Sequence, residues 1–348
     1  MLKHFGVSFV ITALGLALAA WWGFSTNGWA GALTAIAITS ILIVMEVSLS
    51  FDNAVVNASI LKTWDRFWQV MFLTVGMLVA VFGMRLLFPL LIVGVTADIG
   101  LMDVWTMAIE RPEEYSSRVL EHHAEISAFG GMFLMLVFLN YFLDEEKEIH
   151  WLHWIEEKAG LLGRVNAVSV LIALLTLVTA VGFVEDSHKF AVMIAGTWGI
   201  LTYLLVDFIS SFLEKEEEED PIIGKIVKRG SIGAFLYLEV LDASFSFDGV
   251  IGAFAITKDI IIIMIGLGVG AWFVRSMTIY LVEKGTLSEY IYLEHGAHYA
   301  IGALALIMIA SVKFHIPEVI TGLIGIAFIG VAFMSSVKHR RLNADAKS

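Results

Sequence analysis

Cysteine is absent from the 348 residues, which excludes disulfides, thiolate metal sites and cysteine nucleophiles. Only four prolines occur, so little in the chain interrupts helices. Charge is scarce as well, at 16% of residues, and positive charge is the scarcer sign: 22 Lys and Arg stand against 34 Asp and Glu, for a net charge of −12. That balance leaves no basic footprint for nucleic acid. No His-Glu-x-x-His pair, Gly-x-Ser-x-Gly elbow or P-loop is present, so the chain reads as something other than an enzyme.

What the sequence has in abundance is apolar length. It is 58% hydrophobic, with a mean hydropathy of +0.83. A membrane-spanning helix needs roughly 20 predominantly apolar residues. Ten such runs lie near 4–22, 30–50, 67–95, 124–143, 166–184, 190–213, 230–256, 259–282, 296–312 and 316–336. The expectation is an all-α, polytopic transmembrane bundle, with the lipid bilayer as its partner. The first run is long enough to span, and no clean small-x-small cleavage signal precedes Trp21-Trp22, so it reads as a span rather than a signal peptide. The 67–95 run is long and is expected to tilt or break near Pro89. Between the runs, 96–123 is acidic, 144–165 reads as an interfacial amphipathic helix carrying Trp151 and Trp154, and Glu214 to Asp220 reads as a solvated loop. With ten spans, fifteen Lys and Arg fall in the loops and tail on the side of the termini and five on the other. Both termini are therefore expected in the cytoplasm, in the cell inner (plasma) membrane.

The two halves repeat one another. Glu46-Val47-Ser48-Leu49-Ser50-Phe51-Asp52 aligns with Asp242-Ala243-Ser244-Phe245-Ser246-Phe247-Asp248. Gly76 to Arg85 has the same nine-residue spacing as Gly266 to Arg275, and Glu121-His122-His123-Ala124-Glu125 parallels Glu294-His295-Gly296-Ala297-His298. The first copies fall on spans two to four and the second on spans seven to nine. An odd offset of five spans turns the second copy upside down in the membrane. The implied organisation is a first repeat over 1–189, an inverted repeat over 190–336 and a basic tail over 337–348. Folds of this kind hold substrate near the midplane, where the repeats meet.

Glu46, Asp52, Glu239, Asp242 and Asp248 lie in or at the ends of apolar runs. Each costs about 2.5–3.5 kcal/mol at a helix centre, so they must face one another, water or a cation. At 100° per residue Glu46, Ser50, Asn53 and Asn57 share a stripe, while Asp52 lies about 120° from Glu46. The two acids of one motif therefore face different neighbours unless the helix unwinds. Breaks are expected near Ser50–Asn53 and Ser246–Gly249. Carboxylates, amides, hydroxyls and freed carbonyls are hard oxygen ligands suited to Mg²⁺, Ca²⁺ or Mn²⁺. An anion such as tellurite is a poor fit to a ring of acids. The same carboxylates are candidate proton carriers for antiport. Arg85 and Arg275 are candidate counter-ions of the empty site; snorkelling near a span end is the competing role for each. The gate candidates are Glu121, His122, Glu125, Glu294, His295 and His298; interfacial capping is the competing role for them.

The Glu-x-x-x-Ser-Phe-Asp-Asn pattern, its Phe-Ser-Phe-Asp-Gly partner and the following Ala-Phe-Ala-Ile-Thr resemble the TerC family of integral membrane proteins. The resemblance runs from about residue 30 to 335, and Tyr299 to Lys313 is similar to the family's last well-marked helix. It implies tellurium-ion resistance or manganese export, kinship with LysE-type exporters, and Glu46, Asp52, Asp242 and Asp248 as cation-site residues. The chain departs from the family pattern in having Asp-Gly where many members have Asp-Ser, in its insertions at 96–123 and 144–165, and in its greater number of spans. The function expected is export of a Mn²⁺-like divalent cation by alternating access, with no resident cofactor. Export of a small organic solute and a role as a membrane scaffold or partner subunit are the alternatives.

Overall fold

The computed structural model describes residues 2–145, 147, 149–163, 167–218, 232–284, 290–314 and 316–345. Among these residues the structure is helices and connecting turns, with no strand. The helices are α1 (Leu2–Leu49), α2 (Phe51–Leu61), α3 (Arg66–Met71), α4 (Phe88–Ala97), α5 (Leu101–Glu110), α6 (Pro112–Glu121), α7 (His123–Phe142), α8 (His153–Gly163), α9 (Val168–Val181), α10 (Lys189–Glu218), α11 (Ile232–Ile256), α12 (Ile260–Lys284), α13 (Leu293–Ser311) and α14 (Glu318–Asp345).

Among the described residues, seven helices are long and apolar enough to cross a membrane. The protein is a polytopic helical membrane protein. The count differs from the ten apolar runs for three local reasons. The first two runs are the two arms of α1 and count once in that number, α9 is only 14 residues long, and α11 carries three acids, Glu239, Asp242 and Asp248, along its length.

Helix α1 is in fact a hairpin. Asn27 (φ −144°, ψ 33°) and Gly28 (φ +58°, ψ −149°) leave the helical region, and the angles of Gly28 are essentially open only to glycine. A Cβ on Gly23 would collide with the Gly31 carbonyl and lie 2.7 Å from the Ala35 Cβ. A straight helix would hold residues 23 and 31 about 12 Å apart. Such close approach of two glycines is the usual small-residue contact of membrane helices. The first arm runs antiparallel to α12, tied by Ser8 Oγ to Ser276 Oγ (2.7 Å) and by Trp22 Nε1 donating to Asp259 Oδ2 (2.8 Å). The second arm runs parallel to α12, with Leu42 against Gly266 and Glu46 against Gly270.

The 66–94 run does not break at Pro89. Two π-helical stretches, Phe72–Gly76 and Val79–Leu87, precede it, and α4 continues through it. Proline lacks an N–H and crowds the carbonyl four residues back, and the wider π turns upstream absorb that mismatch within one continuous apolar helix. The acidic run at 214–220 also differs from a loop, because α10 extends to Glu218; Glu219 and Asp220 lie outside the described residues. The basic tail likewise continues α14 as far as Asp345.

Many large apolar side chains point outward, among them Trp21, Leu33, Phe190, Trp198 and Phe208. On a soluble protein this would be a liability; against lipid it is the expected outer surface. Inside, one apolar core gathers α7, α9, α10, α11 and α13, and a second joins α1, α5, α6 and α12. Helices α7 and α13 are antiparallel: Gly130 meets Met308, Gly302 meets the Phe138 ring, and Tyr141 stacks on His298 at 3.6 Å.

Candidate cation site

The helix carrying the first acidic motif breaks where its residues are weak helix formers. Helix α1 ends at Leu49, Ser50 adopts φ −98° and ψ 17°, and α2 starts at Phe51. The backbone bonds from Ser50 N to Glu46 O (3.0 Å) and from Ala54 N to Ser50 O (3.1 Å) survive. The break is thus a kink, not an unwound stretch that frees carbonyls. The second motif shows no break, because α11 runs unbroken from Ile232 to Ile256. There the helix is held between α7, α10 and the π-helical stretches, which outweighs the weak propensity of Ser-Phe-Asp-Gly.

Across the kink the acids face different neighbours. The Glu46 carboxylate is almost fully enclosed. It is ion-paired to the Arg85 guanidinium and accepts a hydrogen bond from Ser50 Oγ at 3.0 Å. Its Cβ and Cγ are fixed against Gly270, where an added methyl would come within 2.5 Å. Asp52 turns to the other side, beside Gly325 of α14, where its Oδ1 accepts the backbone N–H of Asn53 at 2.9 Å. Asp242 receives two amides from the opposing motif: Asn53 Nδ2 at 2.7 Å and Asn57 Nδ2 at 3.3 Å. Glu239, one turn earlier on the same helix, presses its carboxylate against Gly76.

These contacts place the two motifs antiparallel. Glu46 lies opposite Gly249, whose ideal Cβ would be 3.0 Å from Glu46 Oε2, while Asp242 lies opposite Asn53. In the motif alignment, Glu46 corresponds to Asp242 and Asn53 to Gly249, so this is one pair seen from each copy. The second pair of repeats is antiparallel too, with Val81 against Gly268 and Leu73 against Arg275.

Two small cavities flank the Glu46–Ser50 segment. Glu46, Ser50, Asn53, Asn57, Arg85, Asp242 and Arg275 line the first, together with the backbone at Gly76. Asp52, Gly249 and Thr321 line the second, again with Glu46 and Ser50. Three buried acceptor oxygens here have no hydrogen-bond partner among the described residues: Asn53 Oδ1, Asn57 Oδ1 and Glu239 Oε1. The asparagine side chains are 4% and 3% exposed, and a buried unsatisfied acceptor costs about 1–3 kcal/mol. Ser246 shows the asymmetry of the copies. Ser50 donates to Glu46, but the Ser246 hydroxyl has no partner among the described residues, and Asp242 is one methylene shorter than Glu46. The side chain of Asp248 lies outside the described residues. Among the described residues, no three His, Asp or Glu side chains gather closely enough to hold a metal by themselves, so any ion here would rely on the amide oxygens as well.

The two arginines diverge. Arg85 pairs with an acid, as expected; Arg275 instead donates to the carbonyl of Leu73 and lies 4.9 Å over the Trp272 ring. The gate candidates fall at opposite ends of the antiparallel α7/α13 pair. At one end Glu125 Oε1 meets His188 Nδ1 at 3.2 Å, and Glu121 is exposed beside His122. At the other, Glu294 pairs with Lys62 at 2.8 Å, His298 Nδ1 donates to the Glu294 carbonyl, and His295 Nε2 donates to the Ile149 carbonyl at 2.7 Å.

One polar centre escaped the sequence reading. Glu156, on the helix expected to be merely interfacial, is buried. Its Oε1 accepts from Tyr299 Oη (2.8 Å) and from the backbone of Leu152 (2.9 Å), and its Oε2 lies 3.2 Å from Lys147 Nζ. Burial pushes its carboxyl upward, but these three donors outweigh burial and hold it below the usual glutamate range. Nothing in the local pattern separates Glu156 from its exposed neighbour Glu157; only its contacts with Tyr299 and Lys147 do.

A family model matches residues 51–343, under the description "Protein of unknown function (DUF475)". The chain belongs to that DUF475 family. Both arginines, Asp52, Asn53, Asn57, Glu239 and Asp242 lie within the matched region, whereas Glu46 and the α1 hairpin precede it. No curated protein and no solved structure matches the chain.

Proposed function

We propose that this membrane protein is a carrier for a divalent cation of the Mn²⁺ type, working by alternating access between two inverted repeats, and that it is a divergent relative of the TerC family. The observation that carries the reading is a set of buried acceptor oxygens with no hydrogen-bond partner among the described residues: Asn53 Oδ1 and Asn57 Oδ1, on the side chains that hold Asp242, and Glu239 Oε1, one turn away on the same helix. Oxygen acceptors without donors, on an anionic wall, suit a hard cation. The antiparallel pairing of both motif copies supports inversion, because carriers of this design bind substrate where oppositely oriented repeats meet. The intended setting is the inner membrane with both termini cytoplasmic, protons are the natural coupling ion, and no catalytic role is assigned. A manganese flux assay in proteoliposomes tests this reading. Wild type should carry Mn²⁺ and Asp242→Asn should not; equal flux through both would sink it.

The scaffold reading draws on one specific observation: the acids are distributed over separate contacts, Glu46 on Arg85, Asp52 beside Gly325 and Asp242 on two amides. Under that reading, Asp242→Asn costs stability alone and Mn²⁺ binds to neither protein. The organic-solute reading draws less support, since the first cavity has Phe72 as its one aromatic lining residue.

A further inference from the structure

We propose that Arg85 is a tethered counter-cation, which occupies Glu46 while the site is empty and leaves it when a substrate cation binds. This rests on the cation-carrier reading above and concerns how the same site is neutralised. Four observations lead to it. The Glu46 carboxylate borders both cavities, so it stands where an ion moving between the Asp242 side and the Asp52 side must pass. Across from it, Gly249 contributes no side chain, so only its backbone faces Glu46 Oε2, where a Cβ would lie 3.0 Å away. The corresponding acid in the second copy, Asp242, is bound by neutral amides instead of a guanidinium, so the two corresponding acids are neutralised differently. Arg85 itself is incompletely held: Nη1 donates to the Ala80 carbonyl at 2.7 Å, while the buried Nε has no hydrogen-bond partner among the described residues.

The backbone beneath Arg85 supplies a means of release. The residue sits on the π-helical stretch Val79–Leu87, a geometry that is uncommon and recurs at functional sites. Its Ala80 contact lies within the same stretch, so guanidinium and backbone are able to shift together. The released form is already represented at the matching position of the second repeat, where Arg275 rests on a backbone carbonyl and the face of Trp272. Two cations cannot share one enclosed carboxylate without a large Coulomb cost. Occupancy of Glu46 by Arg85 and by substrate is therefore mutually exclusive.

The test is Mn²⁺ binding to purified full-length protein at fixed pH and ionic strength, followed by electron paramagnetic resonance. Arg85→Met should bind Mn²⁺ about tenfold more tightly than wild type, Arg85→Lys should stay near wild type, and adding Glu46→Gln to Arg85→Met should abolish the gain. Unchanged or weaker binding in Arg85→Met, with wild-type binding still lost in Asp242→Asn, would overturn the counter-cation and leave the carrier reading standing. No Mn²⁺ binding in wild type or Arg85→Met would overturn both. Should Arg85→Met fail to fold, phenylglyoxal labelling of the wild type decides the matter. Saturating Mn²⁺ should raise modification of Arg85 severalfold, and an unchanged yield contradicts the proposal.

Discussion

Removing the charge at position 46 should strand a guanidinium inside the protein. The two partners are 1% and 4% exposed, so the 0–1 kcal/mol typical of surface pairs does not apply. Breaking a buried pair from one side costs about 3–5 kcal/mol, because the remaining charge is uncompensated, whereas replacing both partners is often neutral or stabilising. Glu46→Gln keeps the shape and the Ser50 contact and removes only the charge, so it should lose about 3–5 kcal/mol. Arg85→Met should lose stability for the same reason, since it leaves the Glu46 carboxylate buried without its partner. The double variant Glu46→Gln/Arg85→Met should recover most of the Glu46→Gln loss. At about 2 °C per kcal/mol for a large chain, the first variant should melt about 6–10 °C below wild type. Ten tryptophans make intrinsic fluorescence in detergent a suitable readout. Additive effects of the two single changes, or a Glu46→Gln variant melting with the wild type, would refute the buried-pair argument.

Gly28→Val should destabilise the α1 hairpin by about 1–3 kcal/mol, because φ +58° with ψ −149° is essentially closed to residues other than glycine; a melting curve matching that of wild type would count against strain. Gly199→Ala should prevent α10 from seating on α7, since its Cβ would collide with the Phe129 carbonyl; a monodisperse, fully stable variant would contradict that contact. Glu156 is held below the ordinary glutamate value of 4.5 in the folded protein, so its contribution is present above that pH and lost as pH falls through the folded value. Hydrogen exchange over 153–163, corrected for intrinsic rates, should therefore quicken on acidification in wild type and lose that dependence in Glu156→Gln. Tyr299→Phe removes one of the donors to Glu156 and should cost about 1.5–3 kcal/mol, the range for a bond to a charged group; a loss below half a unit would show the hydroxyl to be idle.

The fold class was legible because hydropathy reports burial in lipid directly, and the long runs at 124–143, 190–213, 259–282 and 316–336 each overlap a helix long and apolar enough to span. The 100° turn per residue separates Glu46 from Asp52 unless the helix unwinds; the helix kinks at Ser50, and the two acids still face different neighbours. The acids were less legible where tertiary contacts decide. Ser-Phe-Asp-Asn kinks and Ser-Phe-Asp-Gly does not, although their propensities are alike. Arg85 and Arg275 share a repeat position but reach an acid and a carbonyl respectively, a difference set by the chain opposite each. Glu156 carried no signal at all, because its burial depends on Tyr299 and Lys147, distant from it or unremarkable in composition. The Asn27-Gly28 reversal falls in the gap between the apolar runs at 4–22 and 30–50, so the two arms of the α1 hairpin were legible as separate runs.

The measurement that bears most directly on the cation site is Mn²⁺ titration of purified wild type against Asp242→Asn, with Asn53→Ala alongside, in detergent at neutral pH. The account predicts saturable binding in wild type, at least about tenfold weaker in Asp242→Asn, equivalent to about 1.4 kcal/mol or more, and measurably weaker in Asn53→Ala. Identical isotherms for wild type and Asp242→Asn, with both proteins folded, would contradict it.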